Sequence, residues 1–222
     1  MIYLRRSALG VALVLTTFGA GWFATFGLRL GMQQWREHQA ARLLSHIIGH
    51  QWQAMASTGS PLGSPDEPPI LIEFSDYQCP FCRRANATVD SAVRSLRLGV
   101  VYHHFPLSTI HPAATGAARA AICAEQQGRF HEMHHLLMTT DGWQKDTNWV
   151  QVAVDAGVQE KGRFKDCLQA QSTTDRLEAD RQLALELRVT GTPSFFTRVQ
   201  LLRGTVSLST LGRIAAAEAK SN

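Results

Sequence analysis

The chain has 222 residues, of which 45% are hydrophobic and 18% charged, with a formal net charge of +4 and nine histidines. That length fits one domain with extras or two small ones, and the composition fits a packed core and excludes disorder throughout. Arg5/Arg6 and Arg83/Arg84 are isolated basic pairs with no longer basic run, so no nucleic-acid partner is expected.

The N-terminus comes first in the chain and sets an expected address. Behind Arg5 and Arg6, the stretch Ser7–Leu28 carries no charged residue. At about 1.5 Å per residue it is long enough to cross a hydrocarbon core of about 30 Å. Residues 1–30 therefore read as a signal anchor or a signal peptide. A cleaved signal has a shorter apolar core, and the best small-residue site, Phe18-Gly19-Ala20, lies inside the run, which favours the uncleaved anchor. Arg5 and Arg6 would keep the N-terminus cytoplasmic, a bias weakened by Arg29, Arg36 and Arg42 beyond the span. The expected location is a cytoplasmic or inner membrane, single-pass, with the rest of the chain periplasmic or extracellular. A secreted protein after signal cleavage is the alternative.

Residues 31–56 read as a helical stalk, with Trp35, Leu43, Leu44, Ile47, Ile48 and Trp52 at spacings of mostly three and four. Such a stripe suits a juxtamembrane position, with tryptophans near the headgroups, or a homodimer formed through the stalk. Residues 57–69, rich in Ser, Gly and Pro, read as a flexible linker. The catalytic domain is then expected over 70–222. Ile70–Phe74 reads as a buried strand, Cys79 to about Leu96 as a helix and Val100–Phe105 as a second strand, which implies a parallel βαβ unit. Almost everything from about 112 to 187 reads as helix: Ala113–Gln127, Phe130–Met138, Asn148–Ala156, Arg163–Gln169 and Thr174–Leu187. Strands at Ser194–Gln200 and Thr205–Leu208 and a helix from Ser209 to about Ala219 close the chain. The pattern is βαβ, a helical insertion, then ββα.

The chemistry centres on Cys79-Pro80-Phe81-Cys82. The pair follows a buried strand and opens a helix. The free N–H groups and dipole at a helix start favour negative charge, so Cys79 is expected to be the thiolate that attacks in disulfide exchange. Pro80 suits the first helical position, where a missing N–H costs nothing. Cys82, one turn later, is the expected resolving thiol. A zinc site would need two further ligands in a close pair, and Cys123 and Cys167 are lone residues on predicted helices, so no metal is expected.

The segment Glu73-Phe74-Ser75-Asp76-Tyr77-Gln78-Cys79-Pro80-Phe81-Cys82-Arg83-Arg84 resembles the active site of the DsbA-like branch of the thioredoxin superfamily. Val189-Thr190-Gly191-Thr192-Pro193-Ser194-Phe195-Phe196 resembles that family's cis-proline loop, and Phe105-Pro106-Leu107 through Leu137 is similar to its strand end and first inserted helices. The likeness runs from about Pro61 to Ala217. It implies an α/β, thioredoxin-like fold with an all-helical insertion, preceded here by the membrane segment. It also implies a cis Pro193, with the Thr192 backbone pairing with an extended client strand alongside Pro80 and Phe81. Glu73 matches the family's buried acid, with a raised pKa and a proton to exchange with Cys82. An edge-strand surface position is the plainer alternative for Glu73.

The implied activity is thiol:disulfide exchange that forms, reduces or isomerises disulfides in cysteine-containing client proteins. It needs no cofactor, only a redox partner that resets the Cys79–Cys82 pair. Phe81 departs from the histidine between the cysteines of the most oxidising members, and Thr192 is shared with reducing or isomerising ones, which leaves the direction of electron flow open. A non-catalytic chaperone or client-binding module is the competing class, though it has no use for two thiols.

Three features remain. His131-Glu132-Met133-His134-His135 fits H-E-x-x-H, but without a third ligand at a familiar spacing these read as solvated helix histidines. His103 and His104 are expected on a strand, one facing in and one out. Cys123 and Cys167 are expected to form a structural disulfide in an oxidising compartment, stabilising the fold by roughly 2–4 kcal/mol. Two buried free thiols are the alternative.

Overall fold

The computed structural model describes residues 3–63, 69–145 and 147–218, with side chains described from residue 28 on and that of residue 69 excepted. Two compact units, Met1–His46 and Ile47–Asn222, share one helix, α1 (Tyr3–Thr58). The apolar stretch read as a membrane segment lies almost wholly outside the described side chains. Among the described residues no helix is long and apolar enough to cross a membrane.

The second unit is built on a five-stranded sheet in the order β1 (Ser60–Leu62), β3 (Gly99–His104), β2 (Pro69–Ser75), β4 (Ser194–Phe196) and β5 (Leu201–Arg203). Strands β2 and β3 are parallel, joined through α2 (Pro80–Leu96), and every other pairing is antiparallel. The expected βαβ unit is thus present. Between β3 and β4 the chain runs through α3 (Ala114–Glu125), α4 (Phe130–Thr139), α5 (Trp149–Asp155), α6 (Lys161–Gln169) and α7 (Gln171–Glu186). The closing helix is α8 (Leu208–Glu218). The second strand of the closing hairpin falls at Leu201–Arg203, ahead of the expected Thr205–Leu208, because a tighter turn pairs Phe196 with Leu201 directly.

The expected linker over 57–69 is corrected in part. Its first residues end α1, and Ser60–Leu62 forms edge strand β1 against β3, with Ser60 and Leu62 buried. Pro61 is tolerated because an edge strand has one side free of ladder bonds. Residues 64–68 lie outside the described residues. The stalk stripe is corrected too: Ile48, Trp52 and Met55, spaced four and three apart, are buried in the second unit, while Trp35 and Leu43 are exposed. Arg198 caps the Trp52 ring at 4.7 Å, and the Met55 carbonyl accepts a 2.8 Å hydrogen bond from His103 Nε2.

Both His103 and His104 are fully buried, against the expectation of one in and one out. Their side chains do leave opposite faces of β3, but helices cover both faces, so neither face meets water. On one side His103 stacks on Phe74 and bonds Asp180 of α7 at 2.7 Å. On the other, His104 lies edge-on to Tyr102 and Phe130. His134 is also buried, not solvated, and bonds Asn86 of α2 at 2.9 Å; of that motif's histidines, His131 and His135 are exposed.

The helical insertion packs around α3, whose buried face is almost all alanine. Small side chains let four helices approach one another closely. Gly116 shows how close: a methyl there would lie 2.5 Å from the Trp149 ring. Cys123 of α3 and Cys167 of α6 form the expected disulfide, with Cα atoms 5.7 Å apart.

Candidate active site

The site grows from the end of the central strand. After Ser75 the chain turns through Asp76-Tyr77-Gln78, where the Asp76 carbonyl accepts the Cys79 N–H at 3.1 Å. Cys79 is the N-cap of α2 and Pro80 its first residue. The helix then buries Cys82, Ala85, Asn86, Val89 and Ala92, a stripe at three- and four-residue spacing. This fixes Cys82 inside (0% exposed) and leaves Cys79 at the rim (4% exposed), both as free thiols. Phe81 between them is exposed, with the Arg84 guanidinium 4.5 Å above its ring.

The two sulfurs have opposite acid–base character. The thiol of Cys82 hydrogen-bonds the Cys79 sulfur, and against the opposing effect of burial Thr192 and the N–H groups of Cys82 and Phe81 add to it. Together they draw the Cys79 thiol down to about 5. Burial, reinforced by the neighbouring Cys79, pushes the Cys82 thiol far up. The arrangement therefore holds a thiolate at the rim and a protonated thiol beneath it.

Opposite Cys79 stands the loop before β4. The Thr192–Pro193 peptide is cis, and the Thr192 carbonyl lies 3.5 Å from the Cys79 sulfur, accepting from it while it is protonated. So Cys79, Cys82, Thr192 and Pro193, more than a hundred residues apart in sequence, meet at one end of the sheet. Glu73 lies below them on β2, only 2% exposed, which excludes the edge-strand alternative. Burial, with help from Asp90 and against the nearby Ser75 hydroxyl, raises its carboxyl to about 7. Cys123 and Cys167 form their bridge in the helical insertion, apart from this cluster.

Several residues that sequence reasoning missed hold the site in place. Asp76 is buried, and its carboxylate accepts from the Gln78 N–H at 2.7 Å, the Leu107 N–H at 2.8 Å and His111 Nδ1 at 2.7 Å. Gln78 in turn accepts the Ala113 N–H at 2.8 Å. The loop after β3 is thereby pinned against the turn that carries Cys79. An Asp two residues before Gln78 is an Asx-turn signal that was available in the sequence; nothing there marks its partner His111. Arg83 ties the first turn of α2 to the end of α4 through the Leu137 and Thr140 carbonyls and Asp141. Among the described residues no group of His, Cys, Asp and Glu is arranged to hold a metal ion.

A parallel βαβ core, a helical insertion and a Cys-x-x-Cys pair facing a cis-proline loop define a thioredoxin-like protein. Residues 70–214 match the DSBA-like thioredoxin domain family, and the chain belongs to that family. A thioredoxin-like oxidoreductase from Silicibacter pomeroyi is 31% identical at a TM-score of 0.65, over 75% of this chain and 94% of that one. The thiol-disulfide exchange protein alpha-DsbA2 from Wolbachia pipientis shares the fold at a TM-score of 0.72 and 18% identity, over 81% and 98% of the two chains. The Na(+)/H(+) antiporter NhaA 1 of Mycolicibacterium gilvum is 35% identical over 148 residues, 64% of this chain and 24% of that protein. The chain thus spans about a quarter of the length of the curated relatives it matches.

Proposed function

We propose that this protein catalyses thiol–disulfide exchange on cysteine-containing client proteins outside the cytoplasm. Cys79 attacks a client disulfide, or is attacked by a client thiol, and Cys82 resolves the mixed disulfide. The client lies extended along Thr192 and Pro193, with Pro80 and Phe81 beneath it, and its backbone pairs with the loop. Glu73 exchanges a proton with Cys82. A separate redox partner resets the pair, and no cofactor takes part. Ion antiport, named for the curated relatives, forms no part of this reading.

One observation carries it: the free Cys79 sulfur, at a helix start, lies 3.5 Å from the carbonyl of a cis-proline loop, with the free, fully buried Cys82 thiol one turn on. The Cys123–Cys167 bridge supports an oxidising compartment, as structural disulfides persist there. The apolar stretch Ser7–Leu28 supports attachment to the membrane or export. The exposed Trp35 and Leu43 leave room for self-association through α1.

The direction of electron flow follows from the thiolate. Stabilising Cys79 as thiolate stabilises the reduced pair and makes the disulfide a better oxidant. A thiol at about 5 lies between thioredoxin, about 7, and DsbA, about 3.5. The reduction potential is then expected between about −270 and about −120 mV, on the disulfide-donating side of thioredoxin. Glutathione equilibration measures it. A value at or below thioredoxin's would reverse the direction, and no exchange with glutathione at all would sink the enzyme reading.

A further inference from the structure

The reaction above leaves one buried hydroxyl without a task. Ser75 ends β2 two residues beyond Glu73, so both side chains leave the same face of the central strand. Ser75 is 1% exposed and its Oγ makes no close hydrogen bond, and neither does Glu73 Oε1. Buried polar atoms are almost always partnered, so two orphans on one strand face require a reason. The N–H of the next residue, Asp76, points at Cys82 Sγ from 3.5 Å, which puts the end of β2 directly beneath the resolving sulfur. Ser75 is covalently joined to that N–H and shares its strand face with Glu73, so its hydroxyl lies near both groups, and it favours ionisation of each. Tyr102 and His104 stand beside Glu73 and Ser75 in register on β3, and Asp90 faces Glu73 from α2. Burial keeps both Tyr102 and His104 neutral around pH 7.

We propose that Ser75 relays the proton of Cys82 to Glu73 when the mixed disulfide resolves; the inference rests on the exchange reaction proposed above. The Cys82 thiol gives its proton to Ser75 Oγ as the Ser75 hydroxyl proton passes to the Glu73 carboxylate. The Cys82 sulfur, keeping the electron pair, attacks Cys79 Sγ. The Cys79–Cys82 bond forms, the bond from Cys79 to the client sulfur breaks, and the client sulfur departs as thiolate. Over the two exchange steps together the cysteine pair loses two electrons and the client gains them. Run backwards, the same path returns the proton from Glu73 to Cys82.

The test uses the reduced full-length protein and glutathione disulfide, following release of the first and second glutathione thiols by rapid quench. Relative to wild type, Ser75→Ala should leave the first release unchanged and slow the second about tenfold or more. The second-step pH profile should lose its ionisation near neutrality, and the solvent deuterium isotope effect should shrink. Ser75→Thr and Ser75→Val are nearly isosteric, and only Ser75→Thr should restore the rate. Adding Glu73→Gln to Ser75→Ala should slow the step no further, since the two act in one chain. A second release in Ser75→Ala with wild-type rate and pH profile overturns the relay, as does equal loss in the Thr and Val variants. If wild type releases no first thiol, the exchange reading itself fails, before any Ser75 variant is made.

Discussion

Cys79 and Cys82 sit one helical turn apart, yet one thiol is drawn well below the ordinary range and the other pushed well above it. The difference is a matter of atoms: Cys79 meets a thiol, a threonine and two N–H groups at the rim, while Cys82 is sealed under them. Alkylation of Cys79 should therefore follow an ionisation near pH 5, and Cys82→Ala should move it upward by removing the strongest donor. An ordinary thiol profile near 8.5 in the wild type would contradict this. The linkage has a definite sign. Because the folded value lies below the unfolded one, Cys79 stabilises the reduced form fully above about pH 8.5, and that stability is lost as pH falls through about 5. The disulfide form has no such dependence. Glu73 has the opposite sign: its folded value of about 7 lies above the unfolded one, so ionising it destabilises the fold as pH rises from about 4.5 through 7. Glu73→Gln should raise stability at pH 8 by on the order of 3 kcal/mol and change little at pH 4, as read by urea unfolding.

At the scale of elements, helix α2 carries the cysteines, but the loop after β3 and the end of α4 hold it in place. Asp76 takes three donors from these neighbours, so Asp76→Ala should leave them unpaired and cost roughly 2–4 kcal/mol. Asp76→Asn, which keeps the shape and part of the acceptor capacity, should cost less. Denaturant midpoints at constant slope decide this, and equal losses would show that charge, not geometry, holds the loop. In the insertion, the Cys123–Cys167 bridge closes a 44-residue separation between α3 and α6. Replacing both with Ala should destabilise the oxidised protein by about 2–4 kcal/mol while leaving Cys79 reactivity unchanged, because the bridge lies away from the site. A changed alkylation rate would reveal coupling between insertion and site.

For the whole molecule, the domain begins earlier than its sheet. Ile48 and Met55 are fully buried and Trp52 nearly so, although all three precede the first strand. A fragment starting at residue 47 should fold cooperatively, whereas one starting at residue 57 should lose several kcal/mol, since each such side chain contributes roughly 1.5–3 kcal/mol when buried. It would also expose the underside of the sheet at His103, whose Nε2 loses the Met55 carbonyl. Thermal unfolding of the two fragments is the comparison, and equal stability would show that the end of α1 is only laid on the domain. Acid sensitivity is likewise global. Burial holds His104 at about 4 and His134 at about 3, below the unfolded value, so stability should fall as pH drops from about 6.5 through that range.

What the amino-acid order determined by itself was whatever is written locally. The βαβ unit, the helical run and the Cys79–Cys82 pair at a helix start all follow from hydrophobic period, proline position and spacing within a few residues. The site's second half, Thr192 and Pro193, was legible only through likeness to a family, because nothing local in Gly191-Thr192-Pro193 says what it faces. Tertiary structure decided the rest. Three residues as weak as Ser60-Pro61-Leu62 become a strand only because β3 offers an open edge, and the end of the stalk's apolar stripe, Ile48 and Trp52, is buried because the domain has apolar surface there to receive it. His103, His104 and His134 look like surface residues by type, and only the enclosure of both sheet faces makes them interior. Asp76 finds His111 thirty-five residues away, and the end of β2 comes beneath the Cys82 sulfur, through contacts that exist only once the chain has closed. Long-range partners carry no local signature, since each is selected by the shape of the whole core and not by its neighbours in sequence.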